Sequence, residues 1–115
     1  MSSPIPVLTI SGHDPTGGAG IQADIEAILS HGCHPLSLIT CLTAQDTQNV
    51  KEIFPQSASA LEEQLQVLFD DIPVRAVKIG LLGSVEIAKV VASALHRYQP
   101  QVVVLDPVLS SGGGK

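Results

Sequence analysis

The sequence is poor in the features that hold small secreted folds together. It has two cysteines, Cys33 and Cys41, in no Cys-x-x-Cys pair. They imply no disulfide framework, and two buried thiols in a reducing compartment are expected. Tryptophan is absent and aromatics make up 3% of the chain. The core is therefore left to aliphatic side chains, which suits a parallel α/β sheet with Val, Ile and Leu on both faces. Basic residues are few, 6 Lys and Arg against 11 Asp and Glu for a formal net charge of -5. With no basic stripe, this excludes a non-specific nucleic-acid binder. No apolar run approaches the roughly 20 residues that span a bilayer. MSSPIPVLTIS lacks the basic segment and long apolar stretch of a signal peptide. A soluble, cytoplasmic protein with no membrane partner is expected. His31, Cys33 and His34 lie close together, but no second ligand pair stands at metal-site spacing. They read as a helix-terminal cluster and not as a metal centre.

What is present is enough for one modest domain: 115 residues, 44% of them hydrophobic and 15% charged. PVLTIS (6–11) is a short apolar run ending in turn residues, hence a buried strand. A helix is predicted over 17–32, with Ile21, Ile25, Ile28 and Leu29 at helical spacing and Gly32 placed to stop it. LSLITCLTA (36–44) reads as one β-branched strand, and VKEIF (50–54) as a weaker strand at an edge before Pro55. Ser59-Ala60-Leu61-Glu62 has the pattern of a capping box opening a second helix with Leu61, Leu65, Leu68 and Ile72 along one stripe. AVKIGLL (76–82) is a strand, Ser84 a predicted N-cap, and 85–98 a third helix. VVVL (102–105) reads as the most clearly buried strand.

Strands alternating with amphipathic helices give βαβ units and a mostly parallel sheet. After VVVL a further loop and helix would be due, and the glycine-rich LSSGGGK stands there instead. Residues 1–115 therefore read as the N-terminal part of a single larger domain, with the sheet incomplete.

In open parallel sheets, ligands bind beyond the carboxyl ends of the strands. Here the four polar or glycine-rich strand ends are Gly12–Gly20, Gln45–Thr47, Gly80–Ser84 and Asp106–Gly114. All are expected to open on one edge. Gly18-Ala19-Gly20-Ile21-Gln22-Ala23 fits the dinucleotide pattern G-x-G-x-x-A, with Asp46 as a candidate ribose acid. The match is weak, because GHDPT separates the strand from the glycines. SSGGGK is not a P-loop: position 109 is Leu where the motif needs Gly. The remaining reading is that Gly17–Gly20 lets backbone lie against a small planar or polar ligand at a helix N-terminus.

LTISGHDPTGGAGIQADI, the strand end LTAQDT, VKIGLLGS and VVVLDPVL resemble the N-terminal half of the hydroxymethylpyrimidine/phosphomethylpyrimidine kinases of thiamine biosynthesis. The resemblance covers essentially the whole chain, and its G-x-D-P-[ST]-G-G-A-G-I-Q-A-D block is specific to this group and its pyridoxine-kinase relatives. It implies a three-layer α/β/α ribokinase-like fold. It also implies phosphorylation of 4-amino-5-hydroxymethyl-2-methylpyrimidine and of its monophosphate with ATP and Mg2+, by a protein that is a homodimer when complete. By the same resemblance Gly12 meets the pyrimidine through its backbone, and Ala19 and Gly20 border that pocket. Gln45 hydrogen-bonds the amino-pyrimidine edge, where an amide can both donate and accept. Gly80 and Leu81 join the pocket, Leu81 standing where many members carry Met, and Val108 packs on the ring. Asp24 lies near the hydroxymethyl end.

No catalytic residue is expected in this chain, since the family's anion-stabilising loop, base and adenine-binding segments lie in the other half. Each assignment has a plainer alternative. For Gln45 it is a simple strand-end polar residue, and for Asp24 an acid favoured by the helix dipole. Asp14 reads as a turn residue before Pro15. Asp106 either holds a strand end, the favoured reading, or orders metal-phosphate, and Lys78 is expected to pair with an acid. Two other functions stay open, pyridoxine or pyridoxal phosphorylation and a non-catalytic pyrimidine-binding or assembly module; Gln45 argues for an aminopyrimidine.

Overall fold

The computed structural model describes residues 4–106, in which the alternation of apolar and amphipathic segments forms six strands and three helices. Strand β1 (Pro6–Ser11) lies inside a four-stranded parallel sheet of order β2-β1-β5-β6, beside β2 (His34–Ile39) and β5 (Ala76–Ile79), with β6 (Val102–Leu105) outermost. The register pairs Leu8 with Leu36 and Val77, and Ile10 with Leu38 and Ile79.

Because side chains alternate across a strand, Leu8, Ile10, Val77 and Ile79 face one side while Thr9 and Lys78 face the other. The first side is sealed by α2 (Ala58–Asp71) and α3 (Val85–Tyr98), whose Leu61, Leu65, Ile87, Val91 and Ala94 complete the buried core. Phe69 and Tyr98 stack at 4.6 Å where these two helices meet. The other side is covered by α1 (Gly20–Ser30), which buries Ile21 and Asp24. Helices on both faces of a parallel sheet make the three-layer α/β/α arrangement expected. No helix among the described residues is long and apolar enough to cross a membrane.

Four expectations are corrected. The run 36–44 is not one strand: it breaks at Thr40, where β2 leaves the sheet and β3 (Cys41–Gln45) pairs antiparallel with β4 (Val50–Pro55). The break is held from outside the run. The Thr40 amide donates to the Ser11 carbonyl at 2.9 Å, and its hydroxyl donates to the Leu81 carbonyl at 2.6 Å. Helix α1 starts at Gly20 rather than at residue 17, because Asp14 draws residues 16–19 into a turn. Helix α2 is capped by Ser57, which accepts from the Ala60 amide, and not by Ser59. Finally, the strand expected to be most buried is the most exposed: Val102, Val103, Val104 and Leu105 of β6 are 51%, 45%, 51% and 64% accessible. Ser84 does cap α3, accepting from the Ile87 amide at 3.1 Å.

Candidate functional site

Where β1 ends, the chain turns across the top of the sheet and returns into α1. Gly20 makes that return possible. Its φ is +68°, and a Cβ there would stand 2.4 Å from the Gly12 carbonyl oxygen, which accepts from the Ile21 amide at 2.9 Å. Only glycine combines that backbone conformation with so close an approach.

Asp14 fastens the rest of the loop. Its carboxylate accepts from the Thr16 amide (2.9 Å), the Thr16 hydroxyl (2.8 Å) and the Ala19 amide (2.9 Å). Its carbonyl accepts from the Gly17 amide and the Gln22 side chain. Burial pushes the Asp14 carboxyl upward, but the Thr16 amide and hydroxyl and the amides of Ala19 and Gly18 outweigh it and hold the group below its ordinary value. The amides of Thr16, Gly17, Gly18 and Ala19 are thus all engaged within the loop. A phosphate cradle needs such amides open to an anion. Here the loop is a finished wall.

The hairpin β3–β4 forms the facing wall. It is tied to the loop by the His13 amide, which donates to the Cys41 carbonyl at 2.9 Å, and by the Thr43 hydroxyl, 2.9 Å from the His13 carbonyl. Burial raises the Cys41 thiol above its ordinary value, against a smaller opposing effect of the Thr40 hydroxyl, so it is a neutral packing group. A Cβ on Gly12 would lie 2.9 Å from that sulfur, so a side chain there would prise hairpin and loop apart.

Between the walls lies a cavity of about 140 Å³, lined by Gly12, Ala19, Gly20, Gln45 and Leu81 together with Ser11, His13, Asp14, Thr43, Val50 and Ile53. A cavity of roughly 150 Å³ accepts a benzene-sized ring. The lining is mixed. Leu81, Val50 and Ile53 offer apolar surface, while Gly12 backbone and the Gln45 amide offer directed hydrogen bonds.

Five of the residues singled out in the sequence therefore meet at one cavity. Gly80 does not line it but lies beneath: its amide donates to the Ile10 carbonyl at 2.9 Å, and a Cβ would stand 2.4 Å from the Ser11 hydroxyl. Asp24 is also absent from the lining. It is buried against the sheet, accepting from the Thr9 hydroxyl at 2.6 Å and from Lys78 Nζ at 2.6 Å. This supplies the acid expected for Lys78, with Asp106 second at 3.4 Å. Burial lowers the Lys78 ammonium, but the hydrogen bond and charge of Asp24, followed by those of Asp106, raise it overall. Asp46 also lies away from the cavity, closing the hairpin turn by accepting from the amides of Gln48 (2.8 Å) and Asn49 (2.9 Å). Val108 lies outside the described residues. The His31 ring closes the end of α1, its Nδ1 2.9 Å from the Ala27 carbonyl.

His13, Thr43, Val50 and Ile53 were not singled out in the sequence. The last three belong to the hairpin, whose fold-back over the strand ends has no local signal. The described residues offer no all-protein cage for a metal ion. No group of three or more His, Cys, Asp or Glu among them could hold a metal; Asp14 is engaged by amides, Asp24 by Lys78 at 2.6 Å, and Asp106 is exposed, 3.4 Å from Lys78.

Comparison with known proteins places the chain among relatives. The family model for phosphomethylpyrimidine kinase matches residues 14–115. A hydroxymethylpyrimidine/phosphomethylpyrimidine kinase from Aquifex aeolicus is 42% identical over 108 residues, covering 94% of this chain and 42% of the relative. The crystal structure of a phosphomethylpyrimidine kinase from Clostridium difficile 630 superposes with a TM-score of 0.88 at 42% identity, over 96% of this chain and 48% of that one. A Bacillus subtilis pyridoxal kinase solved as an ADP complex gives 0.85 at 35% identity, over 93% and 42%. The chain thus spans less than half the length of each of these relatives.

Proposed function

The chain belongs to the phosphomethylpyrimidine kinase family, and on that premise we propose that it supplies the pyrimidine-binding wall of a kinase acting on 4-amino-5-hydroxymethyl-2-methylpyrimidine and its monophosphate. The observation that carries this reading is the pairing, across a ring-sized cavity, of the Gln45 amide with the bare backbone of Gly12. An aromatic ring would lie against Leu81, Val50 and Ile53, and its amino edge would meet Gln45. These contacts would fix the plane of the ring and the position of its amino edge.

ATP, with Mg2+, would supply the phosphoryl group. By the family resemblance we assign their binding, and the catalytic base, to parts of the protein outside residues 4–106. Phosphoryl transfer rests on positioning and on stabilising the charge of the transferring group. A chain holding only the substrate wall should therefore bind without turning over. The complete protein would act in the cytoplasm, as a homodimer. The test is an ATP-dependent phosphorylation assay with the aminopyrimidine and with pyridoxal. The complete protein should phosphorylate the aminopyrimidine, and the 115-residue chain alone should not. Preference for pyridoxal would replace this reading by a pyridoxal kinase. Turnover by the isolated chain would show that the chemistry lies within it.

A further inference from the structure

Thr43 stands between two oxygen atoms and has one proton to give. Its Oγ1 is 2.9 Å from the His13 carbonyl oxygen and 2.6 Å from Oε1 of Gln45. A hydroxyl is a single donor but a double acceptor, and a carbonyl oxygen donates nothing. In this arrangement one of the two carbonyl oxygens goes unserved. A half-turn of the Gln45 amide, which exchanges its oxygen and nitrogen in place, removes the conflict. The amide NH2 then donates to Thr43, and the Thr43 hydroxyl donates to His13. The His13 end is itself fixed, since that residue's amide is bonded to the Cys41 carbonyl at 2.9 Å. Gln45 also sits at an irregularity in the β3–β4 register, between Ala44 and Gln45. Such an irregularity re-aims a side chain.

We infer that Thr43 is a positioning residue for ligand selection: by accepting from the Gln45 amide it turns Oε1 toward the cavity, so that the site selects a ring carrying an N–H donor at that edge over one carrying a carbonyl. This rests on the aminopyrimidine reading of the cavity and adds to it the group that sets the polarity of recognition. Gln45 keeps its second N–H for a neighbouring ring nitrogen. A 4-oxo ring would present an acceptor to Oε1 and an N–H where an acceptor is wanted, leaving both polar contacts mismatched. Without the Thr43 hydroxyl the amide can turn over and serve either ring.

The test compares the complete enzyme with its Thr43→Val and Thr43→Ser variants, measuring affinity for 4-amino-5-hydroxymethyl-2-methylpyrimidine and for its 4-oxo counterpart. Thr43→Val should reduce the amino-over-oxo preference by about tenfold, the value of one misdirected hydrogen bond. Thr43→Ser, which keeps the hydroxyl, should retain it. An unchanged preference in Thr43→Val, or equal loss in Ser and Val, would overturn the inference. Gln45→Ala separates this from the underlying reading. If that change weakens the aminopyrimidine while Thr43→Val keeps the preference, Thr43 alone is misassigned; if it has no effect, the cavity itself is. Neutron diffraction of the unmutated protein gives the answer even if Thr43→Val does not fold. It should show the hydroxyl deuterium on the side of His13, and a hydroxyl deuterium directed at Gln45 would refute the assignment.

Discussion

Residues 12–20 carry four of the ten glycines, yet they form a loop that needs no further cover: Asp14 and Thr16 engage its amides, and the Gly12 carbonyl is bonded to Ile21. Strand β6 is the reverse case. Its backbone pairs with β5, but its four apolar side chains are 45–64% accessible. A polar loop can be completed by side chains a few residues away, because hydrogen bonds are short and local. An apolar strand has no such local remedy and is completed only by another packed layer. The loop is therefore satisfied by its own neighbours, whereas the apolar side chains of β6 are only partly covered by the described residues.

The largest expected effect breaks the loop's self-sufficiency. Gly20→Ala places a Cβ at 2.4 Å from the Gly12 oxygen in a backbone with φ +68°. Backbone strain and overpacking together should cost about 2–6 kcal/mol. Chemical denaturation of the complete protein should show it, and a loss under about 1 kcal/mol would mean that the loop adapts.

A smaller effect comes from Asp14. A carboxyl whose folded value is depressed stabilises the fold above its ordinary value, 3.8, and loses that contribution as pH falls through the folded value. Asp14→Asn keeps one acceptor oxygen but gives up the charge-assisted bonds, at a cost of about 1–2 kcal/mol near neutral pH. The variant should also show a flatter decline of stability on acidification below that value. A parallel decline in parent and variant would show that other carboxylates govern acid unfolding. The smallest effect belongs to β6. Val103→Lys in the 115-residue chain should change stability by less than about 1 kcal/mol, since the side chain is already 45% accessible. A loss of several kcal/mol, measured the same way, would mean that the strand is covered.

Much of this architecture could be read directly from the residues. The 85–98 helix, its Ser84 cap and the gathering of Gly12, Ala19, Gly20, Gln45 and Leu81 at the strand ends follow from periodicity, cap chemistry and parallel topology. The break at Thr40 could not be read so, because LSLITCLTA is uniformly strand-forming and its interruption depends on Ser11 and Leu81, partners distant in sequence. Asp24 misled for a related reason. Ten residues from Asp14 in the same block, it looks equally available to a ligand, and only the sheet register brings Lys78 and Thr9 beneath it. The accessibility of β6 agrees with the incomplete sheet read from the sequence, since an apolar strand announces the cover it requires and not whether that cover is present.

The central claim is that Gln45 reads the amino edge of a pyrimidine in the cavity beside Gly12. Isothermal titration of the complete enzyme with 4-amino-5-hydroxymethyl-2-methylpyrimidine tests it, using the parent, Gln45→Ala and Gln45→Glu. Removing the amide leaves ligand groups unsatisfied at about 1–3 kcal/mol each. Gln45→Ala should therefore bind on the order of ten- to a hundredfold more weakly. Gln45→Glu should fall between the two, since a carboxylate still accepts from the amine, and ATP affinity should be unchanged in all three. Equal affinity of Gln45→Ala and the parent for the pyrimidine would make Gln45 a strand-end residue and place the substrate elsewhere.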